Sequence, residues 1–158
     1  QYPMRHLQRS GLCLLLAALH SLLLAAQPAL PVNEPDTRRP ALFTSLPDRI
    51  PVDEYVLRNL LQAAQGDQIN LRLGNDAAIR FDGPVVSRYD DNTIHSVVIR
   101  PGNYNGATLT LSSSVQSNGA VRFTGRIISF NHADAYMLVN HNNQYLFQKK
   151  KFYDLINE

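Results

Sequence analysis

Between residues 106 and 147 apolar and polar side chains alternate with a period of two. Ala107, Leu109 and Leu111 are interleaved with Thr108 and Thr110, and Val121, Phe123 and Ile127 with Arg122, Thr124 and Arg126. Side chains along a strand point alternately to its two faces, so this pattern requires strands with one buried and one wet face. A helix would repeat its apolar positions every three or four residues instead. Ser117-Asn118-Gly119 separates two of these strands, and Asn-Gly is a strong hairpin signal because both residues tolerate positive φ.

The same period begins earlier. Ile69, Leu71 and Leu73 alternate up to a turn at Gly74-Asn75-Asp76, and Ala77, Ile79 and Phe81 up to a turn at Asp82-Gly83-Pro84. Residues 85–89 form a third strand closed by Asp90-Asp91-Asn92, and residues 93–100 a fourth, in which Val97-Val98-Ile99 implies partial burial of both faces. A loop of turn-formers at 101–106 leads into the two strands above. A last hairpin joins 135–139 to 144–148 through residues 140–143, and residues 152–156 suit one terminal turn of helix. Eight short strands at this spacing predict a mainly β fold, a small antiparallel barrel or sandwich. One amphipathic helix precedes them. Over residues 52–65, Val56, Leu57, Leu60, Leu61 and Ala64 share a face, Asp53 and Glu54 suit the positive end of the dipole, and Gly66 is placed for a left-handed cap.

Upstream, residues 1–3 precede Met4, where translation is expected to start. Arg5, His6 and Arg9 form a basic lead, residues 12–26 are apolar apart from His20 and Ser21, and small residues and prolines follow. This is the plan of a secretory signal peptide, with cleavage expected after Ala26 and the mature chain secreted or periplasmic. The apolar run falls short of the roughly 20 residues that span a bilayer, so no stable membrane span is expected after cleavage. Pro28, Pro31, Pro35, Pro40, Pro47 and Pro51 make residues 27–51 an expected extended linker. The predicted organisation is therefore a signal peptide at 1–26, a proline-rich linker at 27–51 and a helix-plus-β domain at 52–158 that folds without the first fifty residues.

Charge and cysteine limit the chemistry. The net charge of +2 includes Arg5 and Arg9 in the leader; without them thirteen basic residues face thirteen acidic ones. No general attraction to nucleic acid follows from that balance. Cys13, the only cysteine, also lies in the leader, which leaves the mature part without a disulfide, a thiolate nucleophile or a Cys metal ligand. His95, His132 and His141 have no i, i+4 partner, so no metal site and no cofactor are implied. Asp90-Asp91-Asn92 lacks the spacing of a calcium loop and reads as a hairpin turn. Ser112-Ser113-Ser114 has no Gly-x-Ser-x-Gly elbow and reads as a strand end with exposed hydroxyls. Lys149-Lys150-Lys151 reads as a solvated face or the guard of an edge strand.

Candidate contact residues remain in the turns. Tyr104, between Asn103 and Asn105 in a Gly-Asn-Tyr-Asn-Gly loop, is an aromatic tip for binding. His132 and Asp134 flank Ala133 within reach of one another, and His141 sits in the last hairpin. These six residues are the predicted binding set, and no catalytic residue is assigned.

The order of the pieces carries a resemblance. The helix at 57–64 is followed by Gly-Asp-Gln-Ile-Asn-Leu-Arg-Leu, then by Phe-Thr-Gly-Arg-Ile-Ile, Asp-Ala-Tyr-Met-Leu and Tyr-Leu-Phe. The stretch resembles the propeptide-like β domain amino-terminal to the catalytic unit of secreted bacterial metallopeptidases. No His-Glu-x-x-His segment follows, so the resemblance implies a non-catalytic module and carries over no catalytic residue. The expected function is an exported, non-catalytic β domain that binds a protein partner or a surface polymer, in a propeptide-like role among others. Two alternatives are a β-barrel carrying a small apolar ligand, hinted at by Ala77, Ala107 and Gly125, and a small hydrolase using the turn aspartates Asp76, Asp82, Asp90, Asp91 and Asp134.

Overall fold

Eight strands form one curled antiparallel sheet in the computed structural model, which describes residues 38–74 and 79–156. In chain order the elements are β1 (Arg49–Val52), α1 (Glu54–Gln62), β2 (Gln68–Arg72), β3 (Arg80–Asp90), β4 (Ile94–Ile99), β5 (Thr108–Val115), β6 (Val121–Ile128), β7 (Asp134–His141), β8 (Gln144–Lys151) and α2 (Phe152–Ile156). The sheet order is β1-β8-β7-β6-β5-β4-β3-β2. From β2 to β8 each strand pairs with the next, the meander expected of strands joined by short turns, and β1 returns to lie beside β8. The two edges approach each other where Gly74 N–H donates to the Pro51 carbonyl at 3.0 Å. A single curled sheet is the barrel-like form of the predicted architecture.

The inner face is the predicted one. Leu109, Leu111 and Ile127 have no exposed surface and Phe123 almost none, while Val97 and Ile99 are buried with Val98 half-buried between them. α1 lies on this face near β4 and β5, and buries Leu57, Leu60 and Leu61, three of its five predicted apolar positions. The helix ends earlier than its periodicity predicts. Ala63 already has extended backbone, and Arg88 Nη1 donates to the carbonyls of Leu61 (3.0 Å) and Ala63 (2.7 Å). An arginine from β3 thus satisfies the helix C-terminus. Gly66, at φ 95°, serves the following turn.

Two boundaries differ from the pattern. Asp82-Gly83-Pro84 is a corner inside β3: residues up to Pro84 pair with β2, and residues from Val85 pair with β4 across a bulge. A proline that cannot donate is tolerated where a strand changes partners. Gly83 is required there, because a Cβ would lie 2.1 Å from the Arg100 carbonyl oxygen.

The second correction concerns the proline-rich stretch. Residues 27–37, with the expected signal peptide at 1–26 and with Asp76 and Ala77, lie outside the described residues, but residues 40–51 are part of the β domain. Phe43 and Ile50 have no exposed surface, Leu46 is nearly buried, and β1 is a full strand of the sheet. A domain beginning at residue 52 would lack these groups. Prolines 40, 47 and 51 fall in connections or on the outer strand, positions that need no donated hydrogen bond.

Candidate functional site

The two ends of the curled sheet carry different chemistry. At one end residues 40–48 cross the opening. The Asp134 carboxylate accepts hydrogen bonds from Leu42 N–H (2.6 Å) and Phe43 N–H (2.8 Å). Lys149 Nζ donates to the Phe43 (2.9 Å) and Leu46 (2.5 Å) carbonyls, and the buried Tyr136 donates its hydroxyl to Pro47 O at 2.6 Å. Burial pushes the Tyr136 phenol well above its usual range. The Phe43 ring touches Phe81, Tyr104 and Tyr136, with centroids 6.3, 5.3 and 5.3 Å away.

Of the six predicted binding residues, Tyr104 and Asp134 are used to build this closure. Tyr104 is not an outward tip: its ring lies 4.9 Å from Phe81 and 5.3 Å from Phe43, and burial raises its pKa. Two aromatic rings beneath it gave a better site for its ring than solvent did. Asn103 accepts from Asp82 N–H (3.0 Å) and donates to Arg80 O (2.7 Å), tying the loop to β3. His132 and Asp134 do not meet. His132 Nδ1 bonds Ser129 Oγ at 2.7 Å, and Asp134 is committed to the backbone of Leu42 and Phe43. Asn105 is exposed in the same loop. His141 is exposed in the β7–β8 hairpin, opposite Gln144. Lys149 is likewise no solvated lysine but a half-buried donor to the crossing segment.

At the other end, under α1, polar groups face a recess of about 320 Å³. Arg58, Leu61 and Gln62 of α1 line one side, and Arg88, Asp90, His95, Ser113 and Phe123 the other. Asp90 accepts from Arg88 Nη2 at 2.7 Å and bonds His95 Nδ1. Arg88 and then His95 hold the Asp90 carboxyl below its usual pKa. The neighbouring Asp91 builds the β3–β4 turn, accepting from Thr93 N–H and Ile94 N–H, each at 2.7 Å. Along the sequence Asp90, His95 and Ser113 belong to separate strands, and no motif links them. Only the register of β3, β4 and β5 puts the three in one row. The signal available was the hairpin turn at Asp91, which sets residues 90 and 95 opposite each other.

A third feature is a cleft of about 780 Å³ between β6 and β7. Their ladder holds at Arg126↔Met137 and Ile127↔Tyr136 and then stops, although both strands continue. Thr124, Arg126, Met137 and Val139 line the cleft, and Phe123 N–H reaches across to the Tyr145 hydroxyl at 3.4 Å.

Among the described residues no group of three His, Cys, Asp or Glu side chains is arranged to hold a metal ion, and no helix is long and apolar enough to cross a membrane. Compared with protein-family models, curated proteins and solved structures, the chain matches none.

Proposed function

We propose that this chain is an exported β domain that acts by complementary contact with a protein partner or a surface polymer, a propeptide-like role being one form of it. The supporting observation is the interrupted β6–β7 ladder. Two strands run on past their last shared pair, leaving a surface cleft with apolar Met137 and Val139 beside the cations of Arg122 and Arg126. An extended segment with an acidic residue fits such a cleft, because strand addition satisfies backbone groups while alternate side chains fill the wall. Export rests on the basic-then-apolar leader.

The carrier alternative gains little from its small residues. Ala107 is buried, and a Cβ on Gly125 would stand 3.1 Å from Thr110 O and 3.5 Å from Leu138 Cβ, so the glycine permits close strand packing.

The test is a binding screen of the full chain against a random peptide library and a panel of bacterial surface polysaccharides. A ligand whose binding is lost in Val139→Glu and kept in Tyr55→Glu, an exposed helix position, supports the proposal. The absence of any ligand tighter than about 1 mM, a binding free energy of only about 4 kcal/mol, overturns it.

A further inference from the structure

We propose that Ser113, His95 and Asp90 form an acyl-transfer site at the helix end of the sheet, taking small esters with an apolar acyl group. This goes beyond contact binding and does not depend on it.

The placement follows from strand register. Asp90 of β3 is directly opposite His95 of β4, and His95 is directly opposite Ser113 of β5. Directly opposite residues share a face with Cβ atoms about 4.5–5.5 Å apart, so the three side chains stand in a row. The row is held from one side. Arg88 is fixed by the Leu61 and Ala63 carbonyls at the end of α1 and donates to Asp90, and Asp90 bonds Nδ1 of His95. An ionised carboxylate accepts from Nδ1–H, which leaves Nε2 as the basic nitrogen of the ring.

Ser113 differs from its neighbours. Ser112 donates to Ser96 Oγ at 2.8 Å and Ser114 accepts from Gln116 Nε2 at 3.0 Å. Ser113 faces inward, is only 5% exposed and lines the recess. It stands opposite an imidazole oriented by a carboxylate. Nucleophile, base and orienting acid in that order are the arrangement that activates serine. Leu61, Val115 and Phe123 give the recess an apolar floor for the acyl chain. Arg58 lies over the Phe123 ring at 5.3 Å and uses Nε and Nη2 on Glu54, so Nη1 remains to meet an oxyanion.

The step balances without a cofactor. Ser113 Oγ attacks the ester carbonyl carbon while its proton passes to His95 Nε2. The carbon–alkoxy bond then breaks, and the leaving alkoxide takes that proton. Water attacks the acyl-serine by the same route, giving the acid and restoring the hydroxyl. Ser113 and His95 are the catalytic residues, and Asp90 and Arg88 position the imidazole.

The test uses the full chain with a fluorophosphonate, a reagent for activated serine, read by intact mass and peptide mapping. Ser113 is expected to be modified while Ser112 and Ser114 are not. His95→Gln should slow the modification about a hundredfold, the scale of a general base, with thermal unfolding unchanged. Asp90→Asn should slow it as well and Asp90→Glu restore it, a rescue that a purely structural carboxylate would not show. Prior incubation with p-nitrophenyl butyrate should protect Ser113 in the wild-type chain, which keeps the test valid if a variant fails to fold. An unmodified Ser113, or modification that is neither slowed by His95→Gln nor blocked by the ester, overturns the proposal.

Discussion

The two ends of this curled sheet are closed by chain segments that come from the same short stretch of sequence, yet they are built differently. Residues 40–48 close one end with buried rings and backbone bonds to Asp134, Lys149 and Tyr136. α1 covers the other with three leucines and leaves a recess lined by Arg88, Asp90, His95 and Ser113. At the first end polar side chains are spent on the segment's own backbone groups. At the second, one face of the polar row remains open. Groups already committed to structure are poor candidates for binding or chemistry, so the helix end and the β6–β7 cleft hold the functional interest.

The largest expected difference is in stability. Phe43 meets three aromatic rings with no exposed surface, so Phe43→Ala should cost about 3–5 kcal/mol, measured by urea unfolding. Deleting residues 1–48 should abolish cooperative unfolding, whereas deleting 1–37 should leave the transition in place. A cooperative transition in the longer deletion would show that the segment is dispensable and the comparison between the ends wrong.

Arg88→Met should have a smaller effect, about 1–2 kcal/mol. It removes two bonds to the end of α1, but from a side chain still 26% exposed, which screens part of the loss. Amide exchange should accelerate in α1 and leave residues 40–48 unchanged. Equal acceleration at both ends would mean that they open as one unit.

The smallest effect is at the β3–β4 turn and depends on pH. Thr93 N–H, Tyr89 hydroxyl and Ile94 N–H, in that order, hold the Asp91 carboxyl far below its usual value of 3.8. A depressed folded-state pKa gives stability that is fully present above the unfolded value and lost as pH falls through the folded one. The difference in Tm between wild type and Asp91→Asn should therefore be constant near neutral pH and shrink below about pH 4. A difference that persists unchanged into stronger acid would assign the turn to backbone geometry alone.

Some elements were legible along the chain because their information is local. The alternation in β5 and β6 named Leu109, Leu111, Phe123 and Ile127 as inward, and α1 was visible in the spacing of Leu57, Leu60 and Leu61. β1 was hidden because six prolines in 25 residues look like a linker until one sees that those from Pro40 on sit where no donor is needed. Tyr104 looked like a contact tip because its neighbours are Asn and Gly, and nothing nearby in sequence announces Phe43 and Phe81.

What the sequence by itself determined is the period of the strands and the apolar stripe of the helix, since each depends on residues a few positions apart. Only the tertiary structure decided that Phe43 closes one end, that Asp134 binds backbone instead of His132, and that Asp90, His95 and Ser113 stand in one row. Those arrangements join residues as far as 106 positions apart, and strand register across the whole sheet fixes which side chains face each other.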